Sequence, residues 1–213
     1  MSFVALNIAR ETPPEFSRLI ENQIAMQFND VHTMLRLPMP EQALEAGCNF
    51  TAANSLLALI SGLSALLTQD LDTTNVGSGK MFKKVMKGYY PWDIQPTEAD
   101  TTPHGIDGTI EQLYKYFRNP LAHSLGIKTK GNYLVTVEKS PLSEPDIELL
   151  ERSTVPPGPA VIYAPVRING EDIEQIGLNV ANLYWGVRKM LQRMTQDDAL
   201  MKQVQSNLKR AGL

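Results

Sequence analysis

The chain has 213 residues, 43% of them apolar, which is enough to bury a core and excludes global disorder. A formal net charge of -3 excludes a protein that coats nucleic acid with its whole surface, while leaving room for a local basic pocket. The single cysteine, Cys48, excludes an intramolecular disulfide, which fits a reducing, cytoplasmic setting.

The N-terminal stretch MSFVALNIARETPPEF lacks a basic region followed by a long apolar run, so no secretory signal is expected. The first strong element follows it. Phe16, Leu19, Ile20, Gln23, Ile24, Gln27, Phe28, Val31, Met34 and Leu35 recur at a three–four spacing, and only the glutamines interrupt the apolar stripe. This predicts one helix over about 14–35, with Pro13 and Pro14 at its start and Pro38 and Pro40 beyond its end.

A second helix is predicted from about 40 to 67. No charged residue occurs from Ala46 to Gln69. A membrane span would need roughly 20 apolar residues, and Asn49 and Asn54 interrupt this run. Basic flanks are missing as well, so a buried helix is expected and no membrane contact. Ala52, Ala53, Ala58, Ser61, Gly62, Ser64 and Ala65 are small and let neighbouring helices approach closely, as at the centre of a bundle.

The stretch GSGK that follows invites a phosphate-loop reading. The pattern fails, because it needs Gly at 74 and Ser or Thr at 81, where the chain has Thr74 and Met81. Instead Ser78 is expected to cap a short helix over 79–89, apolar at Met81, Phe82, Val85 and Met86. Lys80, Lys83, Lys84 and Lys87 lie on this helix. They read as a solvated face or as contacts to an RNA backbone.

After a loop at 91–105, Ile106, Ile110, Leu113 and Phe117 define a third main helix. It leads into LYKYFRNPLAHSLGI. The residue before a proline is pushed out of the helical region, so Asn119 is expected to leave one helix and open another turn at Pro120. In an unbroken helix Arg118 and His123, five residues apart, diverge by about 140°. A break at Asn119 would turn them together and leave the N–H groups of Leu121 and Ala122 at a free helix start. A proline-kinked continuous helix is the alternative. Arginine forks onto phosphate and histidine exchanges a proton near neutral pH, a pair suited to cleaving RNA without a metal through its 2′-hydroxyl. A capped helix end with a half-buried histidine is the plain structural reading. Tyr114 and Tyr116 precede Arg118 and read as packing residues or as platforms for a base.

Beyond Gly126, GNYLVTVEKS and AVIYAPVRI read as two strands, with a proline-rich loop at 140–159 between them. Asn169-Gly170 is a turn signal. Helix then resumes through Ile173, Ile176, Val180, Leu183, Tyr184, Val187, Met190, Leu191 and Met194, and a last helix spans 196–210. His32, His104, His123 and Cys48 show no zinc spacing, so neither a metal site nor a cofactor is expected. His32 reads as a satisfied helix residue and His104 as a turn residue.

The expected fold is mainly α: a bundle of four to six helices in one domain, 1–213, with a β-hairpin inserted at about 130–170 before the last core helix. The stretch YFRNPLAHS, at the end of an amphipathic helix, resembles the Arg-x(4–6)-His motif of the HEPN superfamily, with Asn119 matching the polar residue that often follows the arginine. GSGKMFKKVMKGYYP looks like HEPN-type architecture in a less specific way. The resemblance covers about 14–127 and 171–195 and does not include the β insertion. It implies a homodimeric helical bundle whose Arg118 and His123 line a shared cleft. It implies a cytoplasmic, metal-independent endoribonuclease, a hydrolase of the kind found among toxins with antitoxin partners and defence effectors. Other members are non-catalytic modules that bind nucleotides or proteins, so RNA, a nucleotide and a partner protein are all implied ligands.

Overall fold

The computed structural model describes residues 19, 23–37, 48–67, 77–95, 104–123, 133–139 and 142–211, with His123 and Ala211 described in their backbone alone. The protein is mainly helical, with a small three-stranded mixed sheet ahead of its last two helices.

Helix α1, Ala25–Arg36, buries Phe28, Val31 and Leu35, and Ile24 just before it is buried as well. Leu37 is extended (φ -62°, ψ 124°), as expected of a residue ahead of Pro38. The predicted start at Pro13 and Pro14 lies outside the described residues.

Helix α2, Asn49–Ala65, contains no charged residue. It touches α1, the next helix, the first strand and α7 below, which makes it the central element. Ala52, Ala53, Leu56, Leu57 and Ile60 are buried. Among the described residues no helix is long and apolar enough to cross a membrane.

Helix α3, Ser78–Tyr89, buries Met81, Phe82, Val85 and Met86, the predicted face. The expected Ser78 cap does not form. Gly77 is the N-cap, with φ +79°, and the Ser78 hydroxyl lies 3.4 Å from the Tyr114 hydroxyl. Helix α4, Gly105–Gln112, runs without interruption into a π-helical segment, Leu113–Arg118, and then into α5, Asn119–His123.

This continuity overturns the expected break at Asn119. Asn119 is helical (φ -69°, ψ -49°), and its N–H donates to the Tyr114 carbonyl five residues back. A proline inside a helix lacks one N–H and crowds the carbonyl four residues earlier. Widening the preceding turn by one residue lets the chain pass Pro120 without ending. No free helix start is left at Leu121 and Ala122.

Strands β1 (Tyr133–Glu138), β2 (Val161–Ile168) and β3 (Glu171–Asn179) form the sheet in the order β1-β3-β2. β1 runs parallel to β3, pairing Val135 with Ile176 and Val137 with Leu178. β2 and β3 form an antiparallel hairpin from Val161↔Leu178 to Ile168↔Glu171. The hairpin corrects the helix expected from Ile173. Asn169 and Gly170 both have positive φ (52° and 86°), the geometry of a tight two-residue turn, so the chain folds straight back as a strand.

A second correction is α6, Glu144–Arg152, in the span expected to be a loop. Ser143 and Asp146 form a capping box, and Pro145 occupies the first turn, where its missing N–H costs nothing. Helix α7, Val180–Gln196, begins at Asn179, whose side chain accepts from the Asn182 N–H at 3.0 Å. It buries Leu183, Tyr184, Trp185, Val187, Met190, Leu191 and Met194. Helix α8, Asp198–Ala211, lays Gln203 and Asn207 against the end of α2, and their amides donate to the Leu67 and Leu66 carbonyls at 2.8 Å each.

Candidate functional site

The π-helical segment carries the two side chains from which the site is built. Tyr114 is half-buried, its ring centroid 5.5 Å from that of Phe82. Arg118, one widened turn later, is half-buried above the same ring, its guanidinium carbon 5.8 Å from the centroid. From α3, Lys83 also reaches over the Tyr114 ring, at 5.6 Å. Two cations thus share one aromatic side chain, an electrostatic attraction to the electron-rich ring face.

Arg118 is held at a second point. Its Nε–H donates to Ser61 Oγ at 3.1 Å, and the Ser61 hydroxyl donates to the Leu57 carbonyl at 3.0 Å. Gly79 completes the seat: a Cβ there would stand 2.9 Å from the Tyr114 Cζ. The second glycine of GSGK therefore has a packing role against the tyrosine.

The expected residues divide as follows. Asn119 is exposed and adjoins Arg118. His123 is the last residue of α5, and its side chain lies outside the described residues. Tyr116 is only 7% exposed, with its ring 5.6 Å from that of Tyr133, so it packs into the core and offers no open face to a base. Lys83 pairs with Glu111, and Lys87 pairs with Asp107 at 2.8 Å. Lys80 and Lys84 are exposed. The α3 basic face is thus half neutralised by carboxylates of α4. Ser61 is the contact that sequence reasoning did not single out. It is one of several serines on α2, and nothing local marks it as the one facing an arginine.

A cleft of about 980 Å³ lies at the other end of α3, around Lys87, Trp92, Asp93, His104 and Arg193. Its charged walls are closed in pairs. Arg193 grips Asp93 with both terminal nitrogens (2.7 and 2.9 Å), which holds that carboxyl below its ordinary range. His104 sits against Glu174 at 3.3 Å and stacks on Tyr163 at 5.3 Å. These groups are engaged with one another, and Arg118 does not line this cleft.

His32 is satisfied, as expected: its two ring nitrogens meet Glu151 at 3.1 Å and Glu144 at 3.0 Å. The two carboxylates lie on opposite ring nitrogens and so do not converge on one ion. Among the described residues no group of three His, Cys, Asp or Glu could hold a metal.

The chain matches no protein-family model, no curated protein and no solved structure.

Proposed function

We propose that the Arg118 end of the π-distorted helix is the centre of a HEPN-like, metal-independent endoribonuclease that works as a homodimer. In this reading Arg118 stabilises charge on the phosphorane-like transition state, His123 moves the proton of the 2′-hydroxyl, and Asn119 orients the phosphate. The exposed Lys80 and Lys84 contact the RNA backbone, with Lys83 and Lys87 beside them. The observation that carries the reading is the seat of Arg118. A guanidinium fixed by Ser61 and Tyr114, in a π-helical segment of a kind often found at functional sites, is preorganised for an anion. A role as toxin or defence effector, with an antitoxin partner, follows from the same resemblance.

The unbroken helix bears on the geometry. It leaves Arg118 and His123 of one chain about 140° apart around the axis. In this reading the arginine of one copy and the histidine of a second meet across a two-fold axis. The same observation favours a second reading, a non-catalytic helical module in which Arg118 binds a nucleotide or a protein carboxylate and His123 packs.

One experiment separates the two. Purified protein is incubated with single-stranded RNA in EDTA, beside Arg118→Ala and His123→Ala proteins shown to be folded by circular dichroism. Cleavage to 2′,3′-cyclic phosphate ends is expected, with a loss of roughly a hundredfold or more in each variant. Equal cleavage by both variants sinks the enzyme reading. A strict monomer at micromolar concentration by sedimentation sinks the shared cleft.

A further inference from the structure

Arginine side chains are long and flexible, and a guanidinium that must meet a developing charge gains from being held before the substrate arrives. On Arg118 two contacts do this from two elements, Ser61 on α2 and Tyr114 on the π-helical segment. We propose that Ser61 is the positioning residue for Arg118, setting its guanidinium against a phosphodiester of single-stranded RNA, with Tyr114 as the surface on which it rests. This rests on the reading of Arg118 as the group that meets the RNA phosphate.

The serine is suited to the task by its hydrogen-bond inventory. A hydroxyl has one proton and two lone pairs. The Ser61 proton is committed to the Leu57 carbonyl one turn back, which turns a lone pair toward the Arg118 Nε–H. Anchoring through Nε fixes the plane of the fork. The ring beneath adds a second constraint. Tyr114 keeps its place because Gly79 has no side chain there, its hydroxyl lies near Ser78, and Phe82 packs against it. Lys83, paired with Glu111, lies over the same ring. The result is a cation seat spanning three elements, α2, α3 and the π-helical segment.

The seat differs from ordinary packing in what it should tolerate. Threonine in a helix makes the same bond to the carbonyl four residues back and keeps the acceptor lone pair. Alanine keeps the helix and removes the acceptor. The test therefore uses Ser61→Ala and Ser61→Thr, with Arg118→Lys to assign the arginine signal. Two readouts are taken on each full-length protein: kcat and KM for cleavage of a fluorescein-labelled single-stranded RNA, and solvent exchange of the Arg118 Nε–H by NMR. We expect Ser61→Ala to lower kcat by roughly tenfold to a hundredfold, as for loss of a hydrogen bond to a charged group, with KM changed less. Its melting temperature should stay close to that of the unsubstituted protein, and its Nε–H should exchange faster. Ser61→Thr should restore both readouts. Unchanged kcat together with unchanged exchange in Ser61→Ala overturns the seat, as does failure of threonine to restore either. If the unsubstituted protein does not cleave RNA while the exchange pattern is as expected, the seat stands and the ribonuclease reading falls.

Discussion

Gly186 lies buried in α7, at the point where the turn after α3 crosses it. A Cβ at that position would stand 2.1 Å from the Tyr90 hydroxyl oxygen, 2.4 Å from its Cζ and 2.7 Å from Gln95 Oε1. Tyr90 cannot easily yield. It is 2% exposed, burial pushes its phenol far above the usual tyrosine range, and its hydroxyl donates to Gln95 at 2.7 Å. Gln95 in turn donates to the Gly158 and Asn182 carbonyls. Glycine in a helix interior costs about 1 kcal/mol relative to alanine, so Gly186→Ala would gain that much in an open site. Here overpacking outweighs propensity, and we expect a net loss of about 2 kcal/mol, read by urea denaturation. A stabilised variant would show that the Tyr90 ring moves aside cheaply. Neither Gly186 nor Ser61 stands out in the sequence, because each role is set by a partner far along the chain. Arg118, Asn119 and His123 do stand out, because their types, spacing and proline form a local pattern. That pattern points to Arg118, and of its two backbone readings the fold adopts the continuous helix through Pro120.

At the scale of elements, what was legible followed periodicity, and what was missed lay in punctuation. The stripes of α1, α3 and α7 were visible because three–four spacing survives wherever a helix buries one face. α6 was hidden behind proline count, although Ser143 and Asp146 at the spacing of a capping box carried the signal and Pro145 belongs in a first helical turn. In β3 the three-residue spacing of Ile173 and Ile176 suggests helix, but the turn at Asn169-Gly170 sends the chain back as a strand. Beside Gly177, Ile176 and Leu178 are buried too, since β3 is the central strand and one end of it is covered on both faces. Caps also give a pH prediction. Asp197 accepts the Leu200 N–H at 2.9 Å at the start of α8 and the Tyr89 hydroxyl at 3.0 Å. The backbone bond first, and then the tyrosine, hold its carboxyl below the ordinary range, and the charge itself is favoured at a helix start. A lowered folded value means that the stability it contributes is present above the unfolded range near 4 and is lost as pH falls through the lowered value. As for loss of a helix cap, Asp197→Ala should cost about 1 kcal/mol at pH 7, and the gap to the unsubstituted protein should narrow as the pH falls through the lowered value. A gap that stays constant from pH 7 to pH 2 in urea melts would rule out the charged cap.

Across the whole molecule, one polar cluster joins the β insertion to the bundle. Glu151 of α6 accepts from Tyr184 of α7 at 2.5 Å and faces His32 of α1 at 3.1 Å. Arg188 of α7, 4% exposed, lies 3.9 Å from the same carboxylate and rests against the rings of Phe28 and Tyr184. Glu144, at the other end of α6, reaches His32 at 3.0 Å and Arg36 at 2.9 Å. The apolar grip of α6 is small, with Ile147 and Leu150 buried and Leu149 70% exposed. Glu151 therefore matters more than its single charge suggests. Removing it leaves the Arg188 guanidinium buried without its carboxylate and takes the acceptor from Tyr184. Loss of one partner from a buried pair typically costs about 3–5 kcal/mol, far more than the intact pair contributes. We expect Glu151→Ala to fall in that range and Glu151→Gln, which keeps an acceptor for Tyr184, to lose less. The two tryptophans report on where the damage goes. Trp185 donates to the Ser153 carbonyl just past α6, whereas Trp92 donates to the Met86 carbonyl at the end of α3. In the unsubstituted protein, fluorescence and far-ultraviolet dichroism should follow one urea transition. In Glu151→Ala the Trp185 signal, isolated in a Trp92→Phe background, should change at lower urea than the dichroism, because α6 leaves before the bundle melts. Coincident curves in that variant, or a loss below about 1 kcal/mol, would mean that α6 is held by its two apolar side chains and that the charge cluster is incidental.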